Sequence, residues 1–474
     1  MPSAPLISIA IDPAAPTPLF QQVYEALRRL IISGQIASGS RLPASRPLAG
    51  ELSVSRTTIV AAYDQLAAEG FIHGCGGSGV FVTHIGEVEI DRGPPPRPQP
   101  TPVDSSSPGA LVPFQPGRPD MRLFPYRQWA RCVARVARAS PQAMITLSDV
   151  FGDLRLRTAI ARHLTEWRGL NVSPEQVLVT AGAGDALEMC IRTLTKAGDR
   201  VALEDPGYPP LRRLVRSLGM KTAWLDVSAD GTSLPRVEDG AQTPLLAILT
   251  PSYQFPLGGA MPAARRMEYL KWAADNGAWI LEDDYDSEFR YAGRPIPALT
   301  SFDRAGRAIY IGSFSKIFSE GLRLGFLVVP ETLIQRFEST LTRFGTKTSM
   351  MPQRCLATFM EDGEFHRHIR RMRRIYGERR DTMISLIRSR LGHHVTFEDH
   401  HAGMQIALRL TQSAADVAMA ARAASKGLIC PALSPYCARD PKHRGLLLGF
   451  CGFSADEMEA PAAALQRIIE DHLG

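Results

Sequence analysis

Apolar residues spaced three and four apart mark helices in the first part of the chain, and short unbroken apolar runs mark strands further on. Val23, Leu27, Leu30 and Ile31 share one face of the segment Leu19 to Ser33, which predicts a helix closed by Gly34. Gly39 and Pro43 interrupt the chain before a second, shorter helix from Ser45 to about Leu52. Ser53-Val54 makes a turn, Ser55 is an N-cap, and Ile59, Ala62, Tyr63 and Leu66 fall at i, i+3, i+4 and i+7 of a third helix. After Gly70, Phe71 to His73 and Val80 to Thr83 read as two strands around a glycine-rich tip, Gly74 to Gly79. Residues 84–112 then change character, with Pro94-Pro95-Pro96, Pro98, Pro100 and Pro102 followed by Asp104-Ser105-Ser106-Ser107-Pro108-Gly109. Such a stretch is extended and buries no core. Beyond it helices (Arg157 to Glu166, Ala186 to Leu194) alternate with apolar runs (Val177 to Thr180, Arg200 to Leu203, Leu245 to Leu249, Trp279 to Leu281, Ile309 to Ile311). Runs of this kind fit strands covered on both faces of an α/β domain. The expected organisation is a head, 1–83, a linker, 84–112, and an α/β domain, 113–474, whose larger part runs to about 345 with a smaller C-terminal part after it.

Two helices joined by a tight turn fit a helix-turn-helix, in which the start of the later helix reaches base edges and phosphates. That task needs short hydroxyls and a long cation, and Arg56, Thr57 and Thr58 are those residue types. Gly74 to Gly79 has Gly-x-Gly-x-x-Gly spacing but leads into Val80-Phe81-Val82, not into a helix, so a winged hairpin is the better account. Pro18-Leu19, Gly39-Ser40-Arg41-Leu42-Pro43-Ala44-Ser45-Arg46, Leu48-Ala49, Val54-Ser55-Arg56-Thr57-Thr58, Tyr63, Leu66, Glu69-Gly70 and Gly77-Ser78-Gly79-Val80-Phe81-Val82 resemble, in order, the winged helix of GntR-type bacterial regulators. The resemblance covers residues 17–83 and implies that Arg41, Arg46, Ser55, Arg56, Thr57 and Thr58 face double-stranded operator DNA, with Gly79 near the wing tip. This wing carries no arginine or lysine of its own, a departure from the family.

Four segments of the large domain stand where strands end, the place at which open α/β sheets bind ligands. Thr180-Ala181-Gly182-Ala183-Gly184-Asp185-Ala186 turns from strand to helix through small residues, so that N–H groups at Ala183 and Gly184 can cradle a phosphate. Asp185 repels a phosphate there unless its side chain turns away. Glu204-Asp205-Pro206-Gly207-Tyr208 sets an aromatic ring at a strand end. Leu281 to Tyr291 ends a strand in an acidic cluster, and alternation puts Asp283 and Tyr285 on one side with Asp284 opposite. A divalent metal could use such a cluster, but no histidine or second carboxylate set accompanies it, and no metal is expected. In the fourth segment an apolar strand runs into Ser313-Phe314-Ser315-Lys316, with Arg323 seven residues on. Two hydroxyls and an arginine around a lysine suit an aldehyde cofactor that carries a phosphate. Ser313 to Lys316 also matches the Ser-x-x-Lys of penicillin-binding proteins, without their Ser-Asp-Asn or Lys-Thr-Gly.

In order and spacing the four segments resemble fold-type I pyridoxal 5'-phosphate (PLP) enzymes over essentially 113–474. The string Asp283-Asp284-Tyr285-Asp286-Ser287-Glu288-Phe289-Arg290 and the lysine segment resemble the MocR subfamily of GntR-type regulators, in which an aminotransferase-like domain follows the winged helix. The resemblance implies a multidomain fold, an α+β winged helix-turn-helix followed by an α/β aminotransferase-like domain, with PLP as cofactor. Lys316 would form its Schiff base, Asp283 would face the ring nitrogen, Tyr285 the 3-oxygen and Tyr208 the ring, with Ala183, Gly184, Ser313, Ser315 and Arg323 around the phosphate. It also implies a head-to-tail homodimer with sites at the subunit interface.

Aminotransferases of this fold generally carry asparagine before the proline of the next loop, where this chain has Phe255, as MocR-like regulators often do. Many also carry a carboxylate-clamping arginine in the segment Leu446-Leu447-Leu448-Gly449-Phe450. Leu447 cannot serve, and Arg444 is the nearest candidate to hold an effector. These departures favour a transcription regulator that senses an amine, an amino acid or PLP itself through Lys316. The alternatives are a working aminotransferase with a DNA-binding head, and a DNA-binding protein whose large domain is only a dimerisation scaffold. The basic string His366 to Arg380 could offer a second DNA surface, but Ile369, Met372 and Ile375 between its arginines favour a packed helix. With 45% apolar and 22% charged residues and a net charge of +6, what matters for nucleic-acid contact is where the cations lie. Seven scattered cysteines without a Cys-x-x-Cys pair argue against a disulfide framework and a zinc site. The start lacks a signal-like charged and apolar sequence, and no run approaches ~18 apolar residues, so a cytoplasmic protein with no membrane partner is expected.

Overall fold

A computed structural model describes residues 9–75, 79–84, 111–144, 149–236, 242–412 and 415–473. The chain divides into two compact units, Met1–Ser105 and Ser106–Gly474. Gly77 and Ser78 of the wing tip and 85–110 of the linker lie outside the described residues.

The first unit contains α1 (Leu19–Ile32), α2 (Ser45–Glu51), α3 (Arg56–Ala68) and a hairpin of β1 (Ile72–Cys75) with β2 (Gly79–Val82). Val23, Leu27, Leu48, Ile59, Leu66, Ile72 and Val82 close its core. Ser55 Oγ accepts the Thr58 N–H at 3.1 Å, satisfying one of the free donors at the start of α3. A cap of this kind stabilises a helix by ~1 kcal/mol. The first strand begins at Ile72 rather than Phe71, because Phe71 N–H is still bonded to Leu66 O at 2.9 Å, closing α3 past Gly70.

The second unit runs through α4 (Tyr126–Ala139), α5 (Leu154–Arg168), β3 (Val177–Thr180), α6 (Ala183–Leu194), β4 (Arg200–Asp205), α7 (Pro209–Ser217), β5 (Lys221–Ser228), β6 (Gly231–Thr232), β7 (Leu246–Leu249), α8 (Ala263–Asn276) and β8 (Trp279–Asp284). It continues with β9 (Ala308–Ser313), α9 (Phe314–Ile317), β10 (Gly325–Val328), α10 (Ile334–Phe344), α11 (Met350–Glu361) and α12 (Glu364–Leu386). A smaller part follows: β11 (Val395–Thr396), β12 (Gln405–Leu410), α13 (Asp416–Ser425), β13 (Gly445–Gly449) and α14 (Ala455–Leu473).

Eight strands form one mixed sheet in the order β3-β10-β9-β8-β7-β4-β5-β6. β9, β8, β7, β4 and β5 are mutually parallel, and β10 runs antiparallel between β9 and β3. Strands β3, β7, β9 and β10 are buried at every position, which is why they read as unbroken apolar runs. Leu187, Ile191, Val215, Phe337 and Leu341 cover one face of the sheet. Ile160, Leu164, Leu356 and Ile369 lie over part of the other, beside Tyr269 and Trp272 of α8. In α12 Ile369 and Met372 are buried and Arg370, Arg371 and Arg374 exposed, while Arg379 packs inward against Asp120. Among the described residues no helix is long and apolar enough to cross a membrane.

Candidate functional site

The site is built on the ends of β8, β9, β4 and β3. Alternation along β8 divides four consecutive polar residues between two surroundings. Glu282 accepts from Leu299 N–H (2.9 Å), Thr300 N–H (2.8 Å) and Thr300 Oγ1 (2.7 Å). Asp284 accepts from Ser287 Oγ (2.8 Å) and Tyr310 Oη (2.5 Å) and lies 2.8 Å from Arg168 Nε. On the other side Asp283 Oδ1 and Tyr285 Oη are buried with no hydrogen-bond partner. Burial, with Asp284 and Glu204 nearby, pushes the Asp283 carboxyl up to about 7, and burial raises the Tyr285 hydroxyl as well.

Asp283 shares a cleft with Tyr208, Phe255, Glu204 and Thr250. Tyr208 stands before α7, 46% exposed as a residue, its ring edge-on to Phe255 at 5.6 Å. Phe255 also meets Tyr285 at 5.8 Å and Tyr436 at 5.4 Å, so the position before Pro256 is filled by a ring that offers no hydrogen bond.

Lys316 follows β9 in α9, its side chain 30% exposed and its Nζ 3.7 Å from Glu320 Oε1. Gly117 passes beside it, and a Cβ there would lie 3.6 Å from Lys316 Nζ and 4.0 Å from Gln405 Oε1. Ser313 Oγ accepts the Ser315 N–H at 3.2 Å, and Arg323, held in the left-handed region at φ +51°, is exposed. Thr180 and Ser313 both pair with Gly325, which brings the β3–α6 turn beside the β9–α9 turn. A Cβ on Gly325 would lie 2.9 Å from Gly182 Cα, so this approach requires glycine. Helix α6 starts at Ala183, earlier than the apolar pattern indicates, after Gly182 at φ +90°. Ala183 and Gly184 therefore sit in a first turn whose N–H groups have no partner within the helix. Asp185 turns back: its Oδ2 accepts the Ala181 N–H at 2.9 Å and its Oδ1 lies 2.8 Å from Lys347 Nζ.

Arg444 is not brought to this group. β12 and β13 pair antiparallel with Gln405 opposite Gly449, so Gly449 is the end of β13 beside Gln115 and Lys316's neighbours. Arg444 precedes the opposite end, about 16 Å away along an extended strand, and is exposed. Sequence reading missed Gly117, Gln405, Asp286 and Arg290. Gln405 Nε2, Asp286 Oδ2 and Arg290 Nε are buried without partners, and no local motif marks Gln405 or Gly117. Unpaired buried polar atoms beside an accessible lysine offer partners to a polar ligand. Among the described residues no cluster of three or more His, Cys, Asp or Glu is placed to hold a metal.

In the first unit Arg41, Arg46, Ser55, Arg56 and Thr57 are exposed, and Thr58 is half-buried. Arg56 Nε donates to Ser45 Oγ at 3.3 Å, tying α3 to α2. Gly79, at φ +113°, lies under Arg41, whose Nε would be 2.6 Å from a Cβ there. Arg41 thus supplies the wing with a cation that its own strands lack.

Residues 19–82 match the family model for bacterial regulatory proteins of the gntR family, and residues 122–460 that for aminotransferase class I and II. The chain is 36% identical over 463 residues to the probable rhizopine catabolism regulatory protein MocR of Rhizobium meliloti, covering 95% of this chain and 93% of that one. It is also 36% identical over 459 residues to the pyridoxine biosynthesis transcriptional regulator PdxR of Corynebacterium glutamicum, covering 95% and 96%. The chain belongs to the MocR subfamily of GntR-type regulators. A solved archaeal alanine:glyoxylate aminotransferase matches the large domain of this MocR-type chain with a TM-score of 0.71 at 24% identity, over 77% of this chain and 92% of that one. The large domain therefore has the fold-type I aminotransferase-like architecture, and the head is a DNA-binding winged helix.

Proposed function

We propose that this MocR-type regulator binds PLP through Lys316 and changes its hold on operator DNA when the cofactor, or an amine or amino acid that reacts at the same place, comes or goes. The observation that carries the reading is the pair of buried, unpartnered atoms Asp283 Oδ1 and Tyr285 Oη at the end of β8, Asp283 on the cleft that Tyr208 borders, with Lys316 in α9 just past the adjoining strand β9. When bound, PLP supplies an aldehyde carbon open to amines and a ring that withdraws electrons. Asp283 would face the ring nitrogen and keep a proton there, and Tyr285 would donate to the 3-oxygen. Tyr208 would cover the ring, and Ala183 and Gly184 N–H, Ser313, Ser315 and Arg323 would hold the phosphate. Phe255 and Leu447 leave out two groups that fast transamination uses, which favours sensing over turnover. A relative named for pyridoxine biosynthesis supports the version in which PLP is itself the signal. Coupling requires that ligand and DNA favour different states of a head-to-tail homodimer.

The test is a fluorescence anisotropy titration of DNA from upstream of the gene, against unrelated DNA at two salt concentrations, with PLP-free and PLP-loaded chain. The expected result is preference for the upstream DNA, shifted by PLP in the wild type and not in Lys316→Ala. Equal, steeply salt-dependent binding to both DNAs, unmoved by PLP, overturns the reading. Sustained conversion of an amino donor with a keto acid would instead identify a working aminotransferase.

A further inference from the structure

We propose that Lys347 sets the charge of the phosphate cradle at the start of α6, acting through Asp185 as a positioning residue for the cofactor. The inference rests on the PLP reading above and assigns the selectivity of that site for the phosphorylated cofactor.

An aspartate in the first turn of a helix competes with any other anion for the same partial positive charge. Here Asp185 follows directly on Ala183 and Gly184, its side chain is 9% exposed, and it takes up the Ala181 N–H at 2.9 Å. Water screens such a carboxylate poorly. A phosphate carrying between one and two negative charges at neutral pH would be repelled from this turn if Asp185 stood alone. It does not: Lys347, on the connection between α10 and α11, places Nζ 2.8 Å from Asp185 Oδ1 and 3.1 Å from Glu188 Oε2. Glu188 is held separately by Arg192 at 2.8 Å. Two carboxylates and two cations therefore balance beside the cradle. Removing Lys347 leaves Glu188 its arginine and leaves Asp185 with no cation. The independent sign that a ligand belongs along this edge of the sheet is the unpartnered Asp283 Oδ1 and Tyr285 Oη, at the same end of β8, across β10 and β9 from β3.

The consequence is selective. Losing Lys347 weakens a ligand that carries a phosphate and spares one that lacks it. The experiment titrates PLP and pyridoxal into the full-length, PLP-free chain, following the visible band and protein fluorescence, for wild type, Lys347→Ala, Asp185→Asn and the double variant. Lys347→Ala is expected to raise the PLP Kd about tenfold, the order expected for one uncompensated charge at a partly buried site, and to leave the pyridoxal Kd within about twofold. The double variant is expected to return the PLP Kd to within about threefold of wild type. Asp185→Asn alone, which keeps Lys347, is expected to bind PLP at least as tightly as wild type, and it supplies the answer if Lys347→Ala fails to fold. Equal weakening of both ligands, no recovery in the double variant, or weaker PLP binding by Asp185→Asn overturns the proposal. A wild-type chain that develops no band with PLP overturns the cofactor reading itself, before any variant is compared.

Discussion

Replacing Asp283 by asparagine should make the PLP-free protein more stable, and by an amount that depends on pH. The side chain keeps its shape and loses only its charge. Asp283 as a residue is partly exposed, but its Oδ1 is shut off from water and unpartnered, and the carboxyl rises from an ordinary value of 3.8 to about 7. A group whose folded value lies above its unfolded value stabilises the fold while protonated, fully below pH ~4, and loses that contribution as pH climbs through the folded value. At 1.36 kcal/mol per pKa unit the loss in the wild type has a ceiling of ~4 kcal/mol, of which ~2.3 kcal/mol falls between pH 5 and pH 7. Asp283→Asn has no such loss. Its advantage over wild type should grow by up to ~2.3 kcal/mol from pH 5 to pH 7 and by only a few tenths of a kcal/mol (~0.3) above. Urea unfolding followed by tryptophan fluorescence measures this, because all five tryptophans (Trp129, Trp167, Trp224, Trp272, Trp279) lie in the second unit. Saturating PLP should narrow or reverse the difference by stabilising the wild type more than Asp283→Asn. A difference between the two chains that does not change from pH 5 to pH 8 refutes the idea that an uncompensated carboxyl is held at the end of β8.

Arg168→Leu should destabilise the second unit by about 3–5 kcal/mol, since Arg168 and Asp284 are each 2% exposed and the change leaves Asp284 buried without its cation. The same tryptophan-detected unfolding checks it, and a change below about 1 kcal/mol would mean that Tyr310 and Ser287 suffice. In the head, Arg56→Ala should weaken binding to upstream and unrelated DNA alike and lower the salt slope by about one if Arg56 meets a phosphate. A loss confined to one operator sequence would assign it to a base edge instead, with anisotropy against a set of single-base substitutions as the measurement.

What could be read from the sequence follows from the range of the interactions involved. The buried strands were legible because a strand covered on both faces has no polar positions to interrupt it, as at Ile309 to Ile311. The side of β8 that Asp283 and Tyr285 occupy was legible because the alternation is a property of the backbone. Gln405 and Gly117 were not, since their nearness to Lys316 depends on how the smaller part of the unit folds back, and no local spacing encodes it. The place of Arg444, away from Lys316, was not legible for the same reason. Counting residues from Leu447 gives distance along the chain, whereas the pairing of Gln405 with Gly449 decides which end of β13 reaches the lysine. Asp185 was legible as a difficulty but not as a solved one, because Lys347 arrives from a distant connection.

The contrast within β8 separates what holds the fold from what awaits a ligand. Glu282 and Asp284 are buried, yet each has donors around it, Leu299 and Thr300 for the first and Ser287, Tyr310 of β9 and Arg168 of α5 for the second. Asp283 and Tyr285, one step along the same strand, have no such donors. Burying an unpaired polar group costs about 1–3 kcal/mol, more for a charge, so two adjacent positions left this way weaken the free protein where apolar residues would have strengthened it. Asp283 carries this cost beside the cleft of Tyr208 and Phe255, and the proposed cofactor would offset it by bringing a ring nitrogen and an oxygen to those two atoms. A protein that is less stable without its ligand also responds more strongly to it, because the free energy returned on binding is available to shift one conformation against another. The strand that would hold the cofactor most firmly is therefore also the one through which its loss would be felt, which is what a regulator needs and an enzyme with permanently bound cofactor does not.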